Sequence, residues 1–226
     1  MSHRTAPLPG RVTSRRELTA HLVRLEVEVP GWHSSGVLDE WVALTVPGQY
    51  QTRYYTVRDV EGERLVLDVV IHDEGLVTTW AAGDCVGDQV LVSLPQGSFA
   101  LPDDAGWLVL AADLTGLPAV ARIAAHHRVT AYVEAPAGTE VAYDPIAGEV
   151  TWVEPPAHGS GQTSALADLV SGLTWPAGPG YFWMAGESAQ MREIRKHLRH
   201  EVGFETTRFD VMGYWSGARG RRLRAS

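Results

Sequence analysis

The middle of the chain reads Trp107-Leu108-Val109-Leu110-Ala111-Ala112, an unbroken apolar run. Such a run is typical of a strand that is covered on both faces, as in a parallel sheet. Small and aliphatic residues at helical spacing follow from Gly116 to His126, and a second strand is predicted from Val129 to Glu134. This alternation of strands and helices predicts a parallel-sheet α/β domain of the nucleotide-binding type after Pro102.

A later segment repeats the same pattern. The apolar run Tyr181-Phe182-Trp183-Met184-Ala185 passes through Gly186-Glu187 into a predicted helix from Ser188 to His200, with Ser188 as its expected N-cap. In open parallel sheets, ligands bind where strands end and helices begin. The turns Asp113–Pro118 and Gly186–Ser188 are therefore the expected nucleotide-binding turns.

The sequence before Pro102 alternates with period two instead. In Val23-Arg24-Leu25-Glu26-Val27-Glu28-Val29, apolar side chains alternate with charged ones, as a half-buried strand requires. Further β-rich runs cover Val42–Val46, Arg53–Asp59, Arg64–Ile71 and Gln89–Leu94. Several short strands separated by glycines predict a closed antiparallel barrel.

Composition limits the class of protein. The length of 226 residues suits one large or two small domains, and the change of pattern at Pro102 predicts two, 1–101 for the barrel and 102–226 for the α/β domain. The net charge of -8 argues against a nucleic-acid surface, which needs clustered basic residues. The single cysteine, Cys85, excludes an internal disulfide, and no metal site is expected. With no signal peptide or membrane-length apolar run, we expect a soluble, cytoplasmic protein without a membrane partner.

The hexapeptide Arg53-Tyr54-Tyr55-Thr56-Val57-Arg58 carries residue types that suit a flavin. On a strand, Arg53 and Tyr55 share one face. A guanidinium can bind a pyrophosphate with two parallel hydrogen bonds, and a tyrosine ring can stack on a flat heterocycle. The same pattern also fits an ordinary half-exposed strand.

Several segments, taken in order, resemble the siderophore-interacting family of FAD-binding ferric-siderophore reductases. They are Arg53–Arg58, Asp68–Gly75, Thr78–Ala81, Leu110–Arg122, Met184–Ser188 and Gly213–Trp215. The resemblance covers residues 11 to 217. It implies a fold of the ferredoxin-reductase type, with a flavin-binding barrel followed by the nucleotide-binding domain.

The resemblance also implies cofactor-binding roles. Arg53, Tyr55 and Thr56 would hold the pyrophosphate, the flavin ring system and the ribityl chain. A short helix from Leu76 to Trp80 would cradle a phosphate. The FAD residues that the resemblance implies are Arg53, Tyr54, Tyr55, Thr56, Asp68, Val69, Val70, Ile71, His72, Leu76, Thr78, Thr79 and Trp80. Those implied at the nicotinamide-binding turns are Asp113, Thr115 and Glu187, and Trp215 is a further implied cofactor-binding residue.

The implied activity is electron transfer from NAD(P)H through FAD to a ferric chelate, with no catalytic side chain required. Arg122, Arg219 and Arg221 are the expected contacts of an anionic chelate. Three departures from the family pattern favour an alternative. The turn Ala112–Thr115 lacks a glycine and an acidic residue of the family, with the apolar Leu114 where a dinucleotide would approach. The segment Trp41–Leu44 carries Ala43 where relatives often have a basic residue, and Ser216 follows Trp215 in place of another. The alternative is a protein that retains FAD but binds or transforms an organic metabolite, or that receives electrons from a ferredoxin.

Overall fold

The N-terminal part of the chain forms a closed barrel of six antiparallel strands. The computed structural model describes residues 6–49, 51–72, 75–143, 146–157 and 164–216. The barrel strands are β1 (Leu8–Thr19), β2 (Leu22–Glu28), β3 (Trp41–Thr45), β4 (Arg53–Glu61), β5 (Arg64–Val70) and β6 (Gln89–Val92). They are joined in the order β1, β2, β5, β4, β3, β6, and pairing of β6 with β1 closes the barrel. The predicted antiparallel barrel is confirmed.

The alternating pattern of β2 explains how the barrel core is filled. Leu25 and Val27 are fully buried, while Arg24 and Glu26, which alternate with them along the strand, remain partly exposed. The helix α1 (Leu76–Ala82) connects β5 to β6 and buries Val77 on the barrel core. The strand and the helix thus both present one apolar face to the same interior.

The second part of the chain forms a five-stranded parallel sheet. Its strands are β7 (Leu108–Asp113), β8 (Thr130–Glu134), β9 (Glu149–Val153), β10 (Tyr181–Glu187) and β11 (Phe209–Trp215). They lie in the order β11, β10, β7, β8, β9, and every adjacent pair is parallel. The central strands β7 and β10 are buried along their whole length. The predicted parallel-sheet domain is confirmed.

Helices follow most strands of this sheet. They are α2 (Leu117–Ala124), α3 (Thr139–Ala142), α4 (Leu166–Ser171) and α5 (Ser188–His197), and a π-helical turn covers Leu198–Val202. The strands β7, β8 and β9 lead away from the centre on one side, and the chain then returns to place β10 on the other side of β7. The order therefore reverses between β7 and β10, which is the point where open α/β sheets bind ligands.

The described residues divide into two compact units, the first ending at Ser98 and the second beginning at Phe99. The functional domain limits 1–101 and 102–226 stay a prediction. In the part of the chain that the structure describes, no helix is long and apolar enough to cross a membrane.

Candidate functional site

The strands β4 and β5 separate where the flavin motif lies. From Arg53 to Thr56, β4 pairs with β3, and the recorded pairing of β4 with β5 starts only at Val57 opposite Leu67. Beyond Leu67, the recorded partner of β5 is β2. Backbone groups of a strand point alternately to its two sides. The gap between these two strand segments is therefore bordered by backbone donors and acceptors, as the edge of a flat heterocycle requires.

The four residues of β4 at this gap differ in exposure. Tyr54 is 64% exposed, whereas Tyr55 is half-buried and packs against the barrel core. Arg53 is exposed, and its guanidinium donates to the Thr52 carbonyl at 3.0 Å and to Gln51 Oε1 at 3.1 Å. These bonds hold the guanidinium close to the strand, where it could turn toward a phosphate at little cost.

Thr56 carries the most informative atom of this motif. The residue is 4% exposed, and its Oγ1 has no hydrogen-bond partner among the described residues. Leaving a buried hydroxyl without a partner costs about 1–3 kcal/mol. A ligand with a polar group in the gap would remove this cost. The residues present therefore fit a cofactor with a hydroxylated chain.

Asp68 has a structural role that the sequence pattern did not reveal. Its two carboxylate oxygens accept from Arg24 Nε at 2.7 Å and from Arg24 Nη2 at 2.9 Å. The two residues face each other across β2 and β5, and the Asp68 side chain is fully buried. The carboxylate thus joins two strands, so a cofactor role for Asp68 concerns its backbone, as it does for Val69, Val70 and Ile71.

His72 and Thr78 form a tight corner between β5 and α1. The His72 backbone N–H donates to Thr78 Oγ1 at 3.0 Å, and this hydroxyl lies 3.3 Å from the Val70 carbonyl that accepts its proton. Gly75 has a φ of 144°, and a Cβ there would lie 3.0 Å from His72 Cε1 and 3.0 Å from Thr78 Cγ2. Only glycine allows this close approach.

Two of the remaining α1 side chains form hydrogen bonds within the fold. The Thr79 hydroxyl donates to the Gly75 carbonyl at 2.9 Å, and Trp80 Nε1 donates to Asp88 Oδ2 at 2.8 Å. Leu76, the first residue of α1, is exposed. The structure thus places the predicted FAD residues at the open gap and the adjoining corner, and their roles toward FAD stay predictions.

In the second unit, three neighbouring strands end in buried acids. Asp113 ends β7, Glu134 ends β8 and Glu187 ends β10. Asp113 and Glu134 are register partners, and β10 lies on the other side of β7. The carboxyl edge of the sheet is therefore acidic at the point where the strand order reverses.

Asp113 is the centre of a local hydrogen-bond network. Its Oδ1 accepts from the Thr115 backbone N–H at 2.8 Å and from the Thr115 hydroxyl at 2.5 Å. Its Oδ2 accepts from Trp215 Nε1 at 2.6 Å. The structure thus brings three of the predicted cofactor-binding residues into direct contact. Leu114, which the sequence pattern placed on a ligand-facing surface, is buried instead.

The prediction that Ser188 caps a helix is wrong. The N-cap of α5 is Glu187, whose Oε2 accepts from the backbone N–H groups of Ala189 and Gln190, both at 3.0 Å. The strand β10 continues two residues beyond its apolar run, to Glu187, so Glu187 is the residue that precedes the helix. Ser188 is the first residue of α5, and its hydroxyl donates to the Trp215 carbonyl at 2.7 Å.

Sequence reasoning did not identify Glu134 as a site residue. It is 4% exposed, and its Oε2 accepts from the Ala165 backbone N–H at 2.5 Å. Burial raises the pKa of its carboxyl to about 7, and the nearby charge of Asp113 acts in the same direction. Its position as the last residue of a predicted strand, beside Asp113, was the signal that could have identified it.

Of the predicted substrate arginines, the structure describes Arg122, and it does not bring this residue to the acidic edge. Arg122 lies in the last turn of α2, at the opposite end of the helix from the Asp113 turn. Arg219 and Arg221 lie outside the described residues. Within the described ranges, no group of three or more His, Cys, Asp or Glu side chains is arranged to hold a metal ion.

Comparisons with known proteins agree with this architecture. Residues 40–99 match the family model of the siderophore-interacting FAD-binding domain, and residues 105–218 match that of the siderophore-interacting protein. An NADPH-dependent ferric-chelate reductase of Escherichia coli is 24% identical over 173 residues, covering 72% of this chain and 65% of its own length. An uncharacterised protein of Mycobacterium tuberculosis is 29% identical over 204 residues, covering 82% of this chain and 72% of its own.

Solved structures share the fold. A siderophore utilization protein from T. fusca superposes with a TM-score of 0.81 at 24% identity, covering 96% of this chain and 97% of that one. A ferredoxin NADP+ reductase from Neisseria gonorrhoeae, with bound FAD and NADP, superposes with a TM-score of 0.70 at 14% identity, covering 93% and 100% of the two chains. The barrel with its open strand gap, the parallel sheet and the matched family models together place this flavin oxidoreductase in the siderophore-interacting protein family.

Proposed function

We propose that this chain is an FAD-dependent ferric-chelate reductase that takes electrons from NAD(P)H and passes them to the iron of a siderophore. The observation that carries the proposal is the buried, unpartnered Thr56 hydroxyl at the gap between β4 and β5. A relative, the Escherichia coli NADPH-dependent ferric-chelate reductase, supports the reaction class. We also propose a cytoplasmic location, where reduced nicotinamide nucleotides are available.

The barrel residues would bind and orient the flavin. Arg53 would turn its guanidinium from Gln51 to the pyrophosphate, which forms stronger, charge-assisted hydrogen bonds. The Tyr55 ring would pack against the flavin, and Thr56 would bond the ribityl chain. The backbone of Asp68–Ile71 would bond the ring edge. When bound, FAD supplies the conversion between the two-electron chemistry of a nicotinamide and the one-electron reduction of iron.

The second unit would bind the nicotinamide nucleotide at the point where the strand order reverses. Asp113 and Thr115 shape the turn after β7, and Glu187 shapes the turn after β10. Crevices at this point of parallel sheets commonly hold nucleotides. Leu114, whose apolar side chain is one motive for the organic-metabolite alternative, is buried, and that alternative stays a prediction.

The substrate would be a ferric ion held by hard oxygen donors. Ferrous iron is a softer cation than ferric iron, so reduction weakens its binding to such donors. This reaction needs electron delivery and does not need a protein acid or base. Arg122, Arg219 and Arg221 remain the proposed source of positive potential for an anionic chelate.

The direct test is steady-state reduction of a ferric catecholate or hydroxamate complex with a ferrous-specific chromogenic chelator present. The FAD-loaded protein should form ferrous iron in proportion to the NADH or NADPH consumed. Arg53→Ala should lower FAD retention by about 1.5–3 kcal/mol, the range for a hydrogen bond to a charged group. Arg64→Ala removes another exposed barrel arginine, which bonds Glu26 instead, and should retain FAD. Nucleotide oxidation without ferrous iron would contradict the proposal.

A further inference from the structure

The indole of Trp215 reaches across a neighbouring strand. Trp215 ends β11, and its Nε1 lies 2.6 Å from Oδ2 of Asp113, which ends β7. Strand β10 lies between these two strands in the sheet. The indole must therefore pass over the end of β10. Gly186 of β10 lies beside the acceptor of this bond, because a Cβ at this position would lie 3.3 Å from Asp113 Oδ2.

A bulge in β11 aims this side chain. Gly186 pairs with Gly213, but the next recorded pair joins Glu187 to Trp215, so Tyr214 is an extra residue on β11. Such bulges turn the following side chain to a new direction. The Ser188 hydroxyl then holds the Trp215 carbonyl at 2.7 Å. A Cβ at Gly213 would lie 2.9 Å from Ser188 Cα, so glycine is needed for this approach.

Asp113 determines which part of the indole remains accessible. Its Oδ1 is used by the Thr115 turn, and its Oδ2 accepts the indole N–H of Trp215. Asp113 is 7% exposed, so this charge-assisted bond is well shielded from water. Trp215 is only partly buried, and its donor is occupied. The surface that it offers to a ligand is therefore aromatic carbon, which suits stacking on a flat ring.

We infer that Asp113 is a positioning residue that holds the Trp215 indole as a stacking platform for a flat heteroaromatic ring of the nicotinamide dinucleotide. The inference rests on the proposed function, because it needs that dinucleotide as a ligand. The ring is the nicotinamide or the adenine, and the two have the same stacking chemistry. Asp113 touches the indole and acts on the nucleotide through it.

A double-mutant cycle tests this coupling in the FAD-loaded protein. Dissociation constants for NAD+ and NADP+ are measured by calorimetry in wild type, Asp113→Asn, Trp215→Leu and the double variant. Loss of the stacking platform should weaken binding about two- to tenfold in Trp215→Leu. Asp113→Asn should weaken it by a similar factor, and should add nothing in the Trp215→Leu background. Nicotinamide mononucleotide and AMP, titrated separately, identify the ring that stacks.

A spectroscopic signal separates positioning from general damage to the turn. The chain has eight tryptophans, so the fluorine resonance of Trp215 in 5-fluorotryptophan-labelled protein is assigned by its absence from Trp215→Leu. Asp113→Asn should shift this resonance. Asp104→Asn is the matched control, since Asp104 is an exposed acid that bonds Arg208 at 2.7 Å in the same unit. It should leave both the resonance and the dissociation constants unchanged.

The outcomes separate the two claims. If wild type binds neither NAD+ nor NADP+, the proposed function is contradicted. If wild type binds but the two substitutions act additively, only the positioning role is overturned. The same conclusion follows if Asp113→Asn weakens nucleotide binding without shifting the fluorine resonance of Trp215. If Asp113→Asn does not fold, Trp215→Phe makes the test, because phenylalanine keeps a ring but lacks the donor. Its affinity should then fall below that of wild type and remain above that of Trp215→Leu.

Discussion

The Thr56 hydroxyl and the Glu134 carboxyl are both buried polar groups, and each is destabilised by its surroundings for a different reason. Thr56 Oγ1 has no partner among the described residues, so the fold without cofactor bears the cost of an unsatisfied group. Glu134 has a partner at Ala165 but lies beside a second acid, Asp113. Each situation predicts a measurable change in stability when the polar group is removed.

Thr56→Val should have opposite effects on the apoprotein and on FAD binding. Valine has nearly the same shape and no hydroxyl, so the free energy of unfolding of the apoprotein should rise by about 1 kcal/mol. FAD affinity should fall by about 0.5–1.5 kcal/mol because one hydrogen bond to the cofactor is lost. Chemical denaturation and FAD titration measure the two quantities, and Thr56→Ser, which keeps the hydroxyl, is the control. A variant that loses apoprotein stability and keeps full FAD affinity would refute this role.

Glu134→Gln should change how stability depends on pH. The carboxyl pKa is about 7 in the fold against 4.5 for an unperturbed glutamate, so the folded state binds more protons between these values. The free energy of unfolding of wild type should therefore fall as pH rises from 4.5 through 7. Glutamine does not titrate and can still accept from Ala165. We compare the free energy of unfolding of the variant with that of wild type at each pH. Above pH 7, this difference should favour the variant by up to about 3 kcal/mol more than it does at low pH. Parallel stability curves for the two proteins would show that Glu134 does not titrate in this range.

Among the elements, the corner between β5 and α1 depends on one glycine. Gly75→Ala places a Cβ against the His72 ring at a φ of 144°, outside the region that alanine adopts. Such strain costs about 1–3 kcal/mol, so the unfolding midpoint and FAD retention should both fall. Gly62→Ala is the control, because its φ is 62° and no atom lies within 4 Å of the added Cβ. Its loss should be smaller, with FAD retained, and equal losses in both variants would contradict the account of this corner.

Elements with a clear apolar period could be predicted from the sequence, and the others could not. The runs that became β2, β7 and β10 each bury residues in a regular pattern. In contrast, β1 is largely charged and polar, and β9 at the sheet edge is only half-buried. Their strand conformation comes from pairing with neighbours, which a single sequence does not display.

The residues of the candidate site could likewise be predicted from the sequence only in part. The residues Arg53–Thr56 could be recognised because they are consecutive and form a motif. The bond between Asp113 and Trp215 joins residues that are distant in the sequence, and it depends on a bulge in β11. Neither the unpartnered state of Thr56 nor the capping by Glu187 can be read without the tertiary arrangement, because each depends on which atoms come near.

For the whole molecule, charge is distributed unevenly. The net charge is -8, and the carboxyl edge of the sheet carries three buried acids, Asp113, Glu134 and Glu187. The arginines at 219, 221, 222 and 224 form a dense basic segment that lies outside the described residues.

The measurement that tests the central claim is anaerobic mixing of the FAD-loaded protein with NADH or NADPH, followed through the visible flavin absorption. The account predicts that one of the nucleotides bleaches the flavin within seconds, and that a ferric siderophore added next restores the colour while ferrous iron appears. Thr115→Val, which removes a bond at the Asp113 turn, should slow bleaching without releasing FAD. If neither nucleotide bleaches the flavin while dithionite does, reduction by a nicotinamide is contradicted, and another donor such as a ferredoxin takes its place.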